Sequence, residues 1–274
     1  MMMLRGRVAL VTGASRGLGK GIATELAAAG ATVIVTARTV DPRGDRPGSL
    51  RATIATIRNT GGLCEGFAVD HADDAQVRAL LESIDRRYGR LDLLVNNVYA
   101  NPALDPALGP EVLKRKFWRT PVGIWDTMQR VGLRSHYVAS YYAAPIMIRR
   151  PGGLIVNISS WGAQRDLFTL PYGVTKAGVD RLAQGLAAEL RDYDVSAVSL
   201  YPGIVETELA HFADEMRQSG LVETPALTGR AVVALARDEE RMRFSGETLV
   251  VAELARAYGF RDLDERLPAS LGQA

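Results

Sequence analysis

One cysteine, Cys64, stands in a chain of 274 residues, so no internal disulfide can form. That fits a reducing compartment. The three histidines, His71, His136 and His211, fall at no metal-ligand spacing, and no metal centre is expected. No apolar run approaches the roughly 18 uncharged residues that a bilayer-spanning helix requires. The opening MMMLRGRVALVTG lacks the layout of a secretory leader. Neither charge sign dominates, since 33 Lys and Arg against 31 Asp and Glu leave a net charge of +2. The compact basic run Lys114-Arg115-Lys116 is short, whereas nucleic-acid binding normally shows as a marked basic excess. A nucleic-acid partner is therefore set aside, and a cytoplasmic protein without a membrane span is expected.

What is present has globular character: 47% hydrophobic and 23% charged residues, enough to bury a full core. Short unbroken apolar runs predict strands at 7–12, 32–36, 66–70, 91–96, 153–158, 195–201 and 247–251. Helical spacing predicts helices at 17–29, 50–58, 73–87, 124–148, 171–190 and 228–236, the fourth interrupted or bent near Pro145. This alternation argues for an α/β fold with a doubly wound parallel sheet of about seven strands and helices on both faces. No repeat or linker divides the chain, so one domain over 1–274 is expected. It carries a Pro-rich loop at 101–121, a segment at 205–220 and a polar tail at 253–274 that either wraps the body or stays mobile. A loop as long as 101–121 inside a compact domain is usually functional.

Between the first strand and the first helix lies Thr12-Gly13-Ala14-Ser15-Arg16-Gly17-Leu18-Gly19. Glycines there permit a tight turn and a close approach of backbone to a pyrophosphate, with the helix N-terminus supplying free N–H groups. The second strand ends in Thr36-Ala37-Arg38, with no acidic residue before Asp41. A carboxylate at that place would suit the ribose 2′-hydroxyl of NAD, whereas an arginine suits a 2′-phosphate. Arg38, with Arg16 in the turn, therefore points to NADP(H) over NAD(H).

Downstream, Tyr172 and Lys176 stand one helical turn apart, after a predicted strand that ends in Ser159-Ser160. A phenol titrates near pH 10 and is a poor acid–base catalyst at neutrality; a nearby ammonium favours the phenolate. The pair suits proton donation to a carbonyl or proton removal from an alcohol. A hydroxyl from Ser160 or Ser159 would hold the oxygen on which charge develops.

TGASRGLG at 12–19, Asp70, VNN at 95–97, ISS at 158–160, YGVTK at 172–176 and PGIVET at 202–207 stand in one order. In this the chain resembles the short-chain dehydrogenase/reductase family, over residues 4–251. The runs KRKFWRTP, VGLRSHY and ELARAYGFRDLDER resemble a narrower branch of it. The resemblance implies a Rossmann-type fold and an oxidoreductase acting on a carbonyl/alcohol pair. Tyr172 would be the acid/base, Lys176 the ribose-holding residue that lowers the tyrosine pKa, and Ser160 the holder of the carbonyl, with Ser159 as fallback. Gly13, Ser15, Arg16, Gly17, Leu18 and Gly19 would line the cofactor. Arg38, Asp70 and Asn96 would lie at its adenosine end. Pro202, Gly203, Ile204, Val205 and Thr207 would border the nicotinamide, and association into a homodimer or homotetramer is implied.

Two departures stand out. The family's NNAG is here Asn96-Asn97-Val98-Tyr99, and the family's relay asparagine is replaced by Gly132. Tyr99 either lines the substrate cleft or packs under the loop. Gly132 keeps a backbone carbonyl for a relay water but loses the side chain. His71 and His211 read as structural or solvated; His136, one turn past Gly132, has a second reading facing the cleft. Phe117, Trp118 and Trp125 read as packing, while Trp161, Phe168 and Leu170 would wall an apolar pocket for a hydrophobic ketone or aldehyde. The alternative is an NADP(H)-binding sensor or scaffold without chemistry. Tyr99 and Gly132 favour it, and the intact serine, tyrosine and lysine oppose it. An epimerase or dehydratase of the extended branch is disfavoured by the TGxxxGxG spacing and the short C-terminal part.

Overall fold

The computed structural model describes residues 3–42, 47–105, 107–208 and 220–272. Seven parallel strands form the central sheet: β1 (Val8–Val11), β2 (Thr32–Ala37), β3 (Leu63–Ala68), β4 (Leu93–Asn96), β5 (Gly153–Ile158), β6 (Val195–Tyr201) and β9 (Thr248–Val250). Their order is β3-β2-β1-β4-β5-β6-β9. A separate parallel pair joins β7 (Ile204–Val205) to β8 (Val222–Glu223). The winding reverses between β1 and β4, which opens a crevice at the carboxyl ends of these strands.

Strands β1, β4, β5 and β6 are buried along their whole length, which is why each reads as an unbroken apolar run. Alternate residues feed opposite cores, as a two-residue period requires. Ala9, Val11, Val33 and Val95 meet Ile22, Leu26, Leu227 and Leu254 on one face. Val8, Leu10, Ile34 and Leu94 meet Leu81, Ile84, Val138 and Met147 on the other.

The helices are α1 (Gly17–Ala28), α2 (Leu50–Asn59), α3 (Asp74–Tyr88), α4 (Val122–Met128), α5 (Ser135–Met147), α6 (Leu170–Leu190), α7 (Pro225–Arg237) and α8 (Val251–Tyr258). Side chains mark their starts: Ser49 accepts from the Ala52 N–H, Asp73 from Ala75 and Gln76, Thr169 from Tyr172 and Thr224 from Ala226. None of these helices is long and apolar enough to cross a membrane.

Several expectations are corrected. The third strand begins three residues earlier than predicted, because it is an edge strand. Leu63 is exposed, Glu65 is partly so, and Glu65-Gly66 breaks the apolar run between Cys64 and Phe67. The fourth predicted helix does run from Val122 to Met147, with a π turn at Gln129–Arg134 between α4 and α5 and no interruption at Pro145, which lies inside α5. Helix α7 begins at Pro225, before the predicted 228, since Thr224 caps it and proline is tolerated in a first turn. The described part of the tail wraps the body. Buried Asp262 accepts the Thr224 N–H at 2.7 Å, the Ala269 N–H reaches the Gly220 carbonyl at 3.0 Å, and Ser270 donates to Glu253 at 2.9 Å. Residues 209–219 of the 205–220 segment, with His211, lie outside the described residues, as do residues 43–46 and Pro106.

Candidate active site

The glycine turn is shaped by what lies against it. Gly13 and Gly17 adopt positive φ, 68° and 53°, where a side chain is strained. A Cβ at position 19 would lie 2.4 Å from the Gly13 carbonyl oxygen and 2.6 Å from Asn97 Nδ2. Asn97 stitches the turn to β4, donating to the carbonyls of Thr12 at 2.8 Å and Gly13 at 3.1 Å. Thr12 Oγ1 in turn accepts the Asn97 N–H at 2.9 Å. At the start of α1 the Gly17 N–H donates to a carboxylate oxygen of Glu208 at 2.8 Å, and Lys20 Nζ stands 3.9 Å from the other oxygen. An anion therefore already fits the helix N-terminus, where a pyrophosphate oxygen would sit.

Across the crevice β5 ends in Ile158 and the two serines. The Tyr172 hydroxyl donates to Ser160 Oγ at 2.8 Å, and Ser160 also accepts the Gly162 N–H at 3.1 Å. Gly162 is forced by this packing, since a Cβ there would lie 2.6 Å from the Tyr172 ring. Ser159 is buried and donates to the Lys176 carbonyl at 3.2 Å, so Ser160 is the serine that meets the tyrosine. Lys176, one turn along α6, is 5% exposed and donates from Nζ to the Ile158 carbonyl at 2.8 Å. Burial lowers its pKa to about 8, opposed by the Asp180 carboxylate. The phenol of Tyr172 is pushed upward by burial, with the Ser160 hydroxyl opposing. Removal from water disfavours the charged phenolate, and the Ser160 hydroxyl works against that.

The family model for short chain dehydrogenases matches residues 7–218. The chain belongs to the short-chain dehydrogenase family. It is 44% identical to dehydrogenase/reductase SDR family member 1 of Homo sapiens over 96% of this chain and 85% of that protein. Among solved structures it resembles a metagenomic short-chain oxidoreductase in complex with NADP, with a TM-score of 0.72 and 30% identity over 90% of this chain and 97% of that one. A Serratia marcescens short-chain dehydrogenase/reductase gives a TM-score of 0.76 at 28% identity, over 90% and 96%. The fold is the Rossmann-type sheet of this family, whose members bind a nicotinamide cofactor.

Among the residues expected at the adenosine end, Arg38 and Asp70 stand together at the ends of β2 and β3, Nη1 to Oδ2 4.0 Å, and the guanidinium is largely exposed. Arg16 flanks Ser15 in the turn, where Gly48, at φ 83°, is pressed against both. The Asn96 side chain faces the core, so a contact with the cofactor would come from its backbone. Its buried Nδ2 donates to Ser140, Asn157 and the His136 carbonyl. Strand alternation turns it into the core and turns Asn97 toward the glycine turn. Pro202 and Gly203 follow β6, Ile204 and Val205 form β7, and the Thr207 methyl lies 3.4 Å from where a Gly17 Cβ would be. Leu18 and Gly19 lie within the first turn of α1.

The remaining short-chain dehydrogenase positions sort by contact. His71 is buried, bonded to Thr36 Oγ1 at 2.7 Å, and burial lowers its pKa to about 4. His136 is fully buried and held neutral by burial, with the Lys176 charge adding to the effect. Trp161 packs edge-on against Tyr201, with centroids 5.3 Å apart, and lies beneath the Arg165 guanidinium and beside Gly272 of the tail. Phe168, at φ 63° and 67% exposed, sets its ring edge-on to Tyr172 at 5.2 Å. Tyr99 does the same from another side at 5.5 Å, each such contact contributing about 0.5–1.5 kcal/mol. Gly132 sits in the π turn, where a Cβ would lie 2.8 Å from the Thr175 methyl; close packing on α6 requires the glycine. Sequence reasoning missed Asn97, Glu208 and buried Glu223, whose Oε2 lies 2.8 Å from where a Gly203 Cβ would be.

Proposed function

We propose that this chain reduces a carbonyl, or oxidises the matching alcohol, with NADP(H) preferred over NAD(H) and a hydrophobic ketone or aldehyde as substrate. The convergence of the Tyr172 and Ser160 hydroxyls beside buried Lys176 carries this reading. The nicotinamide, when bound, supplies or removes the hydride at carbon. Ser160 holds the carbonyl oxygen, and Tyr172 delivers a proton to it from a phenol that burial keeps neutral. Lys176 carries positive charge up to about pH 8 and offsets the cost of leaving a phenolate on Tyr172. In the alcohol direction the same groups act in reverse. Phe168 and Leu170 supply the apolar wall.

Gly13, Ser15, Arg16, Gly17, Leu18 and Gly19 would hold the pyrophosphate; Arg38 would hold the 2′-phosphate beside Asp70; residues 202–207 would border the nicotinamide. The exposed Arg38 guanidinium and the NADP complex of the metagenomic relative support the cofactor preference. We read residues 1–274 as one domain, in a cytoplasmic homodimer or homotetramer; exposed Tyr137 and Tyr141 on α5 support association. Fluorescence titration with NADPH and NADH, then NADPH consumption across a carbonyl panel, tests the reading. Turnover of any ketone or aldehyde supports it, and tight binding with none favours the sensor. Arg38→Ala should cost about 10- to 100-fold in NADPH affinity, the worth of a charged hydrogen bond, and leave NADH unchanged. Equal losses for both would refute the assignment.

A further inference from the structure

The ring of Tyr99 touches three functional positions at once. It stands edge-on to the Tyr172 ring, centroids 5.5 Å apart and planes at 78°. Lys176 Nζ lies 5.6 Å from its centroid, within reach of the attraction between a cation and an aromatic face. Its Cδ2 is 3.8 Å from the place a Cβ on Gly132 would take. The chain's two departures from the family pattern, at 99 and 132, therefore face each other. We propose that Tyr99 is a positioning residue for Tyr172 and Lys176, its ring filling the side of the pair that opens toward Gly132.

Phe168 also sets its ring edge-on to Tyr172, centroids 5.2 Å apart, and the Tyr172 hydroxyl donates to Ser160. Burial displaces both groups, Lys176 downward and Tyr172 upward, and the Tyr99 ring is among the side chains that cover them. The other titratable groups facing them are Asp180, which supports the ammonium from α6, and neutral His136 from α5. None of these contacts uses the Tyr99 hydroxyl, so the ring alone should suffice.

The consequence for turnover rests on the reductase reading; the consequence for Tyr172 itself does not. Protein labelled with ¹³C at tyrosine Cζ would be titrated by NMR, the Tyr172 signal being assigned by its loss in Tyr172→Phe. Tyr99→Phe should leave the Tyr172 titration in place and kcat within about twofold. Tyr99→Leu should admit water, bring the onset of Tyr172 titration down toward ~10, and lower kcat about 10- to 100-fold with little change in KM. Should Tyr99→Leu not fold, Tyr99→Met carries the same comparison. An unchanged Tyr172 titration in the aliphatic variant would overturn the proposal, and so would a Phe variant as impaired as it. If wild type turns over no carbonyl, the reductase reading fails while the Tyr172 signal still decides the role of Tyr99.

Discussion

The two walls of the crevice are made of different material. The wall at the glycine turn is backbone, with Gly13 and Gly17 at positive φ, Gly19 with no room for a Cβ, and the turn stitched to β4 through Thr12 and Asn97. The opposite wall is side chains, with Ser160, Tyr172 and Lys176 backed by Tyr99 and Phe168. A backbone wall binds whatever anion reaches its N–H groups. A side-chain wall can hold a proton and choose a substrate. The first should fail when atoms are added, and the second when one atom is removed.

Tyr172→Phe removes one oxygen from the side-chain wall and should give the largest effect. Turnover should fall about 10²–10⁴-fold, while NADPH affinity stays within about twofold. Single-turnover kinetics beside fluorescence titration separates the two. A variant that turned over normally would remove Tyr172 from the chemistry.

Glu223 lies behind the junction of the two walls, under Gly203, and burial raises its pKa from 4.5 to about 7. The fold therefore binds this proton more tightly than the unfolded chain does. The stability it lends is complete below pH 4.5 and lost as pH rises through about 7, a change of about 3 kcal/mol. Buried His71 and His136 have lowered pKa values and act with opposite sign below pH 6.5. The difference between wild type and Glu223→Gln isolates the carboxyl: between pH 5 and 8 the variant should lose this component of the slope in Tm. Parallel curves would mean that Glu223 is not protonated in the fold.

Gly19→Ala adds one carbon to the backbone wall. With the Gly13 carbonyl at 2.4 Å and Asn97 Nδ2 at 2.6 Å, the turn must shift. The cost should be about 1–3 kcal/mol of stability, with weakened cofactor binding, read by chemical denaturation and by NADPH titration. An unperturbed variant would show that the turn yields easily.

The difference between the walls also explains what was legible. TGASRGLG and Tyr-x-x-x-Lys are contained in one turn or one helical turn, so their spacing survives in one dimension. The bounds of β5 and β6 could be read because both strands are buried along their length. Which of Asn96 and Asn97 faces the turn depends on the pleat of β4, and the edge position of β3 depends on strand order; neither is local. The complementarity of Tyr99 and Gly132 joins a loop after β4 to a π turn and is visible only in three dimensions. The rise in the Tyr172 pKa depends on how thoroughly the ring is buried, which Lys176 at i+4 does not reveal.

The smallest effect tests the backbone wall's indifference to its anion. Glu208 sits on the Gly17 N–H and near Lys20, so a cofactor phosphate bound there would have to displace it. A charge at a helix N-terminus is worth about 0.3–1 kcal/mol. Glu208→Gln keeps the shape and removes the charge, so NADPH and NADH should both bind about two- to fivefold tighter. The gain should shrink with added salt, because the competition is between charges. Equal tightening for both cofactors is the informative part, since the pyrophosphate is common to them while Arg38 is proposed to address only the 2′-phosphate. Weaker binding in the variant would mean that Glu208 assists the cofactor, and the wall would then owe its anion selectivity to a side chain after all.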